Sequence, residues 1–204
     1  SGPTGGFALG AALCVAAWLG LVILLGRSGA FHVPTGRLPI PVLTAMLLPP
    51  AVFLLLLRLP EFRSQVLAID PVWLAAVQGL RILGAGFLFV YAFGHLSGIF
   101  AHPAGWGDVL VALLAPIAAT RLARDPNFLR SAWLWRFHAL GLLDFVGAIG
   151  SGLLARALAA PGAEPTAALA QFPLLLIPCF AVPLWICLHL AAFAQIREAR
   201  RVAN

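Results

Sequence analysis

Long apolar runs alternate with short polar connections along the chain, and this pattern predicts six membrane-spanning helices. A helix needs about 20 apolar residues to cross a bilayer. A transmembrane β-barrel is instead built from segments of about ten residues with alternating hydrophobicity. The predicted spans cover residues 7–25, 38–57, 71–94, 106–122, 132–155 and 172–193. We therefore predict an all-α, polytopic integral membrane helical bundle that forms a single transmembrane domain over residues 1–204.

Two local features modify the second run. Pro49 and Pro50 stand near its middle, where two prolines remove two amide donors and free the carbonyls one turn back. Discontinuous helices commonly line binding sites in transporters, so we predict a break here beside a candidate binding site. A kink that serves no ligand is the alternative. The short amphipathic segment 61–69, which follows this run, is predicted to be an interfacial turn of helix.

The apolar pattern also contains a weak internal repeat, residues 47–88 against residues 113–154. Leu47-Leu48-Pro49-Pro50 aligns with Leu113-Leu114-Ala115-Pro116 in this register. The repeated unit would be a helical hairpin, and both copies would run in the same direction through the membrane. Chance similarity is the alternative, because the whole chain is rich in Leu, Ala and Gly.

Composition supports the membrane assignment and limits the partners. Hydrophobic residues make up 62% of the chain and charged residues 10%, too few to cover a soluble domain of this size. The net charge of +6 comes from arginine alone, and the absence of Lys suggests a GC-rich bacterial genome. Since the arginines lie mostly in short loops, we expect them to set orientation rather than to bind nucleic acid. The expected partners are the lipid bilayer and other membrane subunits or further copies of this chain.

The distribution of arginines predicts the orientation. Nine arginines lie on the side that carries both termini, three lie on the other side, and Arg81 alone lies within a span. Cytoplasmic loops carry the excess of positive residues, so we predict cytoplasmic N- and C-termini in a multi-pass protein of the bacterial inner membrane. The nine are Arg58, Arg63, Arg121, Arg124, Arg130, Arg136, Arg197, Arg200 and Arg201, and the three are Arg27, Arg37 and Arg156.

Arg81 is the most informative residue, because a guanidinium near the bilayer centre must be paired or wet and should face the bundle interior. Asp144 is its predicted partner, at a similar depth in the fifth span. Gln78, one turn before Arg81, is predicted to complete the hydrogen bonds. This polar centre would bind or translocate an anionic solute at Arg81, or take up a proton at Asp144. Alternatively, the pair is a structural clamp.

Two histidines provide a redox alternative. His138 and His189 fall at similar depth in the fifth and sixth spans. Facing histidines in a helical bundle can be the axial ligands of a haem b, and Arg136 would then lie near a propionate. The alternative is two unrelated polar side chains near the membrane interface.

The remaining histidines lie near the opposite face. His32, His95 and His102, with Asp108 close by, are a candidate divalent-metal site, although their spacing matches no known ligand motif. Alternatively the histidines are interfacial, and Asp108 caps the fourth span after the sequence Pro103-Ala104-Gly105-Trp106-Gly107.

Motifs for ordinary enzymatic chemistry are missing. The sequence contains no GxSxG, Walker A, HExxH or helix-opening GxGxxG pattern, and its three cysteines form no CxxC. We therefore favour a non-enzymatic protein for the binding or transport of a small solute, ion or proton. A haem b redox protein and an accessory or assembly subunit of a larger membrane complex are the alternatives.

Overall fold

A computed structural model describes residues 2–203, and every regular element in that range is helical. A 3₁₀ segment covers Val77–Gly84, and a π-helical segment covers Ile177–Ala181. Short 3₁₀ turns cover Pro126–Arg130 and Ala167–Ala170. The α-helices are α1 (Gly5–Arg27), α2 (Ile40–Leu56), α3 (Pro60–Leu67), α4 (Pro71–Ala76), α5 (Ala85–Ala92), α6 (Gly98–Arg124), α7 (Ala132–Ala157) and α8 (Val182–Ala203).

Within residues 2–203, five helical stretches are long and apolar enough to cross a membrane, which confirms the predicted fold class. They are Gly5–Arg27, Pro71–Ala92, Gly98–Arg124, Ala132–Ala157 and Ile177–Ala203. The second predicted span, residues 38–57, corresponds to α2, which meets α3 at an angle of 105°, so that the two helices count as one further span only if they are taken together. Alone, the 17 residues of α2 extend about 25 Å, slightly less than the hydrocarbon thickness.

The predicted break at Pro49 and Pro50 is wrong. Both prolines lie inside a continuous α2, and the chain bends only after Leu56. Apolar surroundings favour the remaining intrahelical hydrogen bonds strongly enough for a helix to continue past proline. The bend has its own cause: Pro60 opens α3 and Leu59 before it is extended, at φ −80° and ψ 122°.

The predicted start of the fourth span is also wrong. The helix α6 begins at Gly98, capped by the Ser97 hydroxyl, which accepts a hydrogen bond from the Ile99 amide. Pro103 is therefore inside the helix. Gly105, which suggested a loop, packs closely against the Leu88 side chain, so its small size serves helix contact.

Contacts between distant segments define two ends of the bundle. At one, Gln65 accepts a hydrogen bond from the Thr4 amide at 2.7 Å, and Arg63 pairs with Glu198 at 2.8 Å. We call this the terminal end, since it gathers the start of α1, α3 and the last turns of α8. At the opposite end, which we call the loop end, the Ser97 amide donates a hydrogen bond to the Pro165 carbonyl.

Small residues bring the central helices together. Ala75 of α4 packs with Val111, Ala115 and Ala118 of α6 in one buried cluster. Such residues let helix backbones approach closely where lipid provides no hydrophobic driving force between helices. Close packing at this level places the middle of α6 against the 3₁₀ segment that carries Arg81.

Candidate functional site

Arg81 lies at the centre of a buried polar cluster, with no exposed surface. Its Nε donates to Oδ1 of Asp108 at 2.7 Å, and its Nη2 donates to Oδ2 of Asp144. Its Nη1 donates to the Gly141 carbonyl at 3.1 Å. The Phe145 ring covers the guanidinium, 3.9 Å from Cζ. The structure thus brings Arg81 and Asp144 together, as the sequence predicted, but makes Arg81 the shared partner of two carboxylates.

Asp108 is the acidic residue that the sequence reasoning misplaced. It stands well inside α6, is 4% exposed and pairs with Arg81, so its predicted capping role is wrong. The error follows from the early start of α6, because a residue that follows Gly-Trp-Gly resembles a helix opening. A third charged residue within a span was the available signal, since such residues almost always face a partner.

His189 and His138 extend the cluster by a chain of hydrogen bonds. Nε2 of His189 lies 3.2 Å from Arg81 Nη1, and Nδ1 of His189 lies 2.9 Å from Nδ1 of His138. A guanidinium can only donate, so Nε2 of His189 must be the acceptor and its proton must sit on Nδ1. That proton is then donated to His138 Nδ1. Both imidazoles are therefore neutral in this arrangement.

The same contact does not fit a haem. Two axial ligands of one iron face each other across the porphyrin. The two imidazoles instead touch directly, with ring centroids 5.1 Å apart, and leave no place for a porphyrin between them. Arg136, the predicted propionate partner, is exposed on α7. The two histidines do lie at similar depth, as predicted, but as members of the Arg81 cluster.

Gln78 is buried next to this cluster without joining it. Its amide nitrogen donates to the Leu74 carbonyl at 3.5 Å, a long hydrogen bond, and its Oε1 has no partner. The prediction that Gln78 completes the hydrogen bonds of Arg81 is therefore wrong. Gln78 instead turns back to the preceding helical turn, in α4, while Asp108, Asp144, the Gly141 carbonyl and His189 take the Arg81 donors.

Three glycines make room for the polar side chains. A Cβ at Gly84 would overlap the Asp108 carboxylate, and one at Gly107 would overlap the Asp144 carboxylate. A Cβ at Gly141 would meet the His189 ring. Each glycine therefore lies where another helix inserts a polar group, and glycines near rare charged residues are the sequence signal for this centre.

A cavity of about 90 Å³ extends between the loop end and the polar centre. Asp108 and Asp144 both line it, whereas Arg81 does not. Its walls are mainly aliphatic and aromatic side chains of α2, α5, α6 and α7, among them Met46 and Phe145. Part of its lining comes from the two loops at residues 31–39 and 166–170.

The charges in the centre do not balance. One guanidinium faces two carboxylates, and the neighbouring histidines are neutral, so one negative charge is left over when both acids are ionised. An isolated charge at this depth is costly, which favours a proton or a cation as its counter-charge. An anionic solute, by contrast, would have to displace a carboxylate to reach Arg81.

Other predicted site residues lie apart from this centre. Pro49 and Pro50 do not line the cavity; Met46, one turn earlier, does. His32, His95 and His102 are exposed, whereas Asp108 is bound to Arg81 inside the bundle. Within residues 2–203, no group of three or more potential metal-binding side chains occurs. The predicted metal site is therefore not formed, because α6 turns Asp108 away from the surface histidines.

Comparison with known proteins identifies a family and no activity. A family model described as a domain of unknown function (DUF8737) matches residues 39–197, which is 159 of the 204 residues. No curated protein and no solved structure matches the chain. The matched range begins before α2 and ends within α8, so it includes the whole polar centre.

Proposed function

Since this chain belongs to the family described as a domain of unknown function (DUF8737), whose description gives no activity, we propose a function from the polar centre alone. The protein is a multi-pass protein of the bacterial inner membrane that binds, and moves, a proton or small cation at Asp108 and Asp144. One observation carries this proposal: two buried carboxylates that line a cavity share a single guanidinium.

Proton binding is the simplest way to balance the centre. A shared proton, or a proton on one of the two acids, would remove the excess negative charge without breaking the Arg81 contacts. Two carboxylates that face one another through a common partner commonly titrate as a unit, so the proton belongs to the pair rather than to either residue. Asp144, which is the more exposed of the two carboxylates, is the one we expect to exchange the proton with the cavity.

Infrared difference spectroscopy tests the proposal directly. A pH step on the purified full chain in lipid nanodiscs should produce a carbonyl stretching band from a protonated buried carboxyl group. We expect Asp144→Asn or Asp108→Asn to change this band, and Glu61→Gln, an acid-to-amide change on the exposed surface of α3, to leave it intact. If the spectra of both aspartate variants superimpose on that of the wild type, the centre binds no proton and acts as a structural clamp.

A further inference from the structure

We propose that the cavity takes a small aliphatic ammonium ion, which competes with the proton for the charge at Asp108 and Asp144. This inference rests on the proposed function, because it names a solute for the same centre. It follows from the charge, the free acceptors, the wall chemistry and the size of the cavity, each of which is independent of the others.

Charge selects a monovalent cation. The centre has one carboxylate more than it has cations. Arg156 and His32 also line the cavity but stand outside this count, because Arg156 donates to the carbonyls of Val33, Pro34 and Arg37 and neither is hydrogen-bonded to the centre. The count takes in the groups that hydrogen bonds join to one another. These groups are Arg81 before α5, Asp108 on α6, Asp144 and His138 on α7, and His189 on α8. The wall contributed by α2 contains no titratable residue. One positive charge therefore neutralises the centre, whether a proton or an ammonium ion brings it.

Free acceptors select a cation that donates hydrogen bonds. Arg81 contacts only Oδ1 of Asp108 and only Oδ2 of Asp144. The second oxygen of each carboxylate receives no N–H or O–H among the residues that the structure describes. A carboxylate has acceptor capacity for several donors, and an alkylammonium group offers three. The two remaining oxygens, Oδ2 of Asp108 beside Gly84 and Oδ1 of Asp144 beside Gly107, are thus the acceptors that an ammonium head would use.

Wall chemistry separates an organic cation from a metal ion. Hard cations such as Ca²⁺ take six to eight oxygen ligands. The cavity instead presents Phe31, Phe87, Phe100 and Met46 beside the two carboxylates. Aromatic faces attract ammonium groups, and aliphatic walls bury alkyl chains. The cavity therefore suits a cation with a short hydrocarbon tail.

Size limits the length of that tail. A cavity of about 150 Å³ is large enough to hold benzene, with six heavy atoms. The cavity of this protein, at about 90 Å³, is smaller, so a chain of about four carbons with its nitrogen is the upper limit without rearrangement. Butylammonium is the matching probe, and 1-butanol is its neutral counterpart of equal length.

Calorimetric titration of the full chain in nanodiscs tests the inference. We expect butylammonium to bind, 1-butanol not to bind, and the affinity for butylammonium to fall as protons occupy the centre at lower pH. Asp144→Asn should weaken butylammonium binding at least about tenfold, because the remaining carboxylate is then balanced by Arg81. Equal binding of butylammonium and 1-butanol, or an affinity that neither pH nor Asp144→Asn changes, would overturn the inference.

A second variant separates this inference from the proposed function. Ala148 lines the cavity and has no polar side-chain atom, so it takes no part in the hydrogen bonds of the two carboxylates, and Ala148→Leu should fill the cavity while the infrared band of the protonated carboxyl group persists. Loss of butylammonium binding with an intact band supports the inference. A wild-type protein with the band but no butylammonium binding refutes the ammonium ligand and leaves proton binding standing. The absence of the band refutes the proposed function itself.

Discussion

Arg81 shows how a charged residue is retained in a buried position. Burial of a guanidinium removes its hydration, and the loss is offset only when its donors are satisfied by well-placed acceptors. Arg81 reaches two carboxylates, one backbone carbonyl and one imidazole nitrogen. A lysine has one nitrogen and cannot hold all four positions, so the planar fork of arginine is required here.

At the residue scale, Gly107 is the most direct test of this geometry. We expect Gly107→Ala to destabilise the fold by about 1–3 kcal/mol, because its new Cβ would displace the Asp144 carboxylate from Arg81. The measurement is the thermal unfolding midpoint of purified protein in detergent.

Gly147→Ala is the matched control for this change. Gly147 lies on α7, one turn from Asp144, and a Cβ there would have no neighbour within 4 Å. We expect Gly147→Ala to leave the midpoint unchanged or to raise it slightly, since alanine favours the helix. A Gly107→Ala protein as stable as the Gly147→Ala protein would contradict the packing described for the two aspartates.

At the element scale, the attachment of α3 depends on one buried amide. Gln195 Nε2 donates to the carbonyls of Val66 and Ile69, at 3.1 and 2.7 Å. Val66 lies in the last turn of α3 and Ile69 just after it, where helices leave carbonyl acceptors unpaired. The nearby pair between Arg63 and Glu198 joins the same two elements but is partly open to solvent, so it should contribute little.

We therefore expect Gln195→Leu to loosen α3, at a cost of about 1–3 kcal/mol, because the Ile69 carbonyl loses its side-chain donor and the Val66 carbonyl keeps only the Ile69 amide. Hydrogen–deuterium exchange over residues 60–69 should become faster in this variant. Arg63→Ala is the comparison, and it should leave the exchange of that segment close to the wild-type rate. The opposite ranking of the two variants would mean that the ion pair, and not the amide, holds α3.

Several elements could be predicted from the sequence, and the failures have physical causes. The predicted spans 71–94 and 132–155 agree within two residues with the helical stretches Pro71–Ala92 and Ala132–Ala157, because long apolar runs in lipid have no other stable form than a helix. The predicted helix break at Pro49 and Pro50 and the predicted helix start after Pro103 are wrong, because prolines break helices more readily in water than inside a bilayer. The sequence does not predict the 3₁₀ segment around Arg81. Over only eight residues, an apolar pattern with three residues per turn cannot be distinguished from one with 3.6 residues per turn.

The candidate site was predictable only in part for a related reason. Arg81 and Asp144 were recognised because charges are rare within spans and the two lie at similar depth. The sequence does not identify Asp108 as a partner of Arg81, because the predicted span begins at Trp106, eight residues after the true start of the helix at Gly98. His138 and His189 were paired correctly by depth, but sequence distance carries no information on whether two rings touch or face each other across a cofactor.

At the scale of the whole molecule, the two ends of the bundle differ in charge and in access to the centre. Nine arginines belong to the segments of the terminal end, against three at the loop end. The cavity extends towards the loop end, where Arg156 donates to the carbonyls of Val33, Pro34 and Arg37 and to the Thr166 hydroxyl and so joins the two loops. If the terminal end is cytoplasmic, protons and cations reach Asp144 from outside the cell.

The orientation can be measured with single cysteines introduced after Cys14, Cys179 and Cys187 are replaced by alanine. Ala163 is exposed in a loop of the loop end, and Ala123 is exposed in the last turn of α6, beside the segment that Arg200 binds. We expect a membrane-impermeant maleimide to label Ala163→Cys in intact bacterial cells, and Ala123→Cys only after lysis, because positive loops remain in the cytoplasm. The reverse pattern would place the loop end, towards which the cavity extends, in the cytoplasm. The proton and the ammonium ion would then exchange with the cell interior, so the direction of any transport depends on this one measurement.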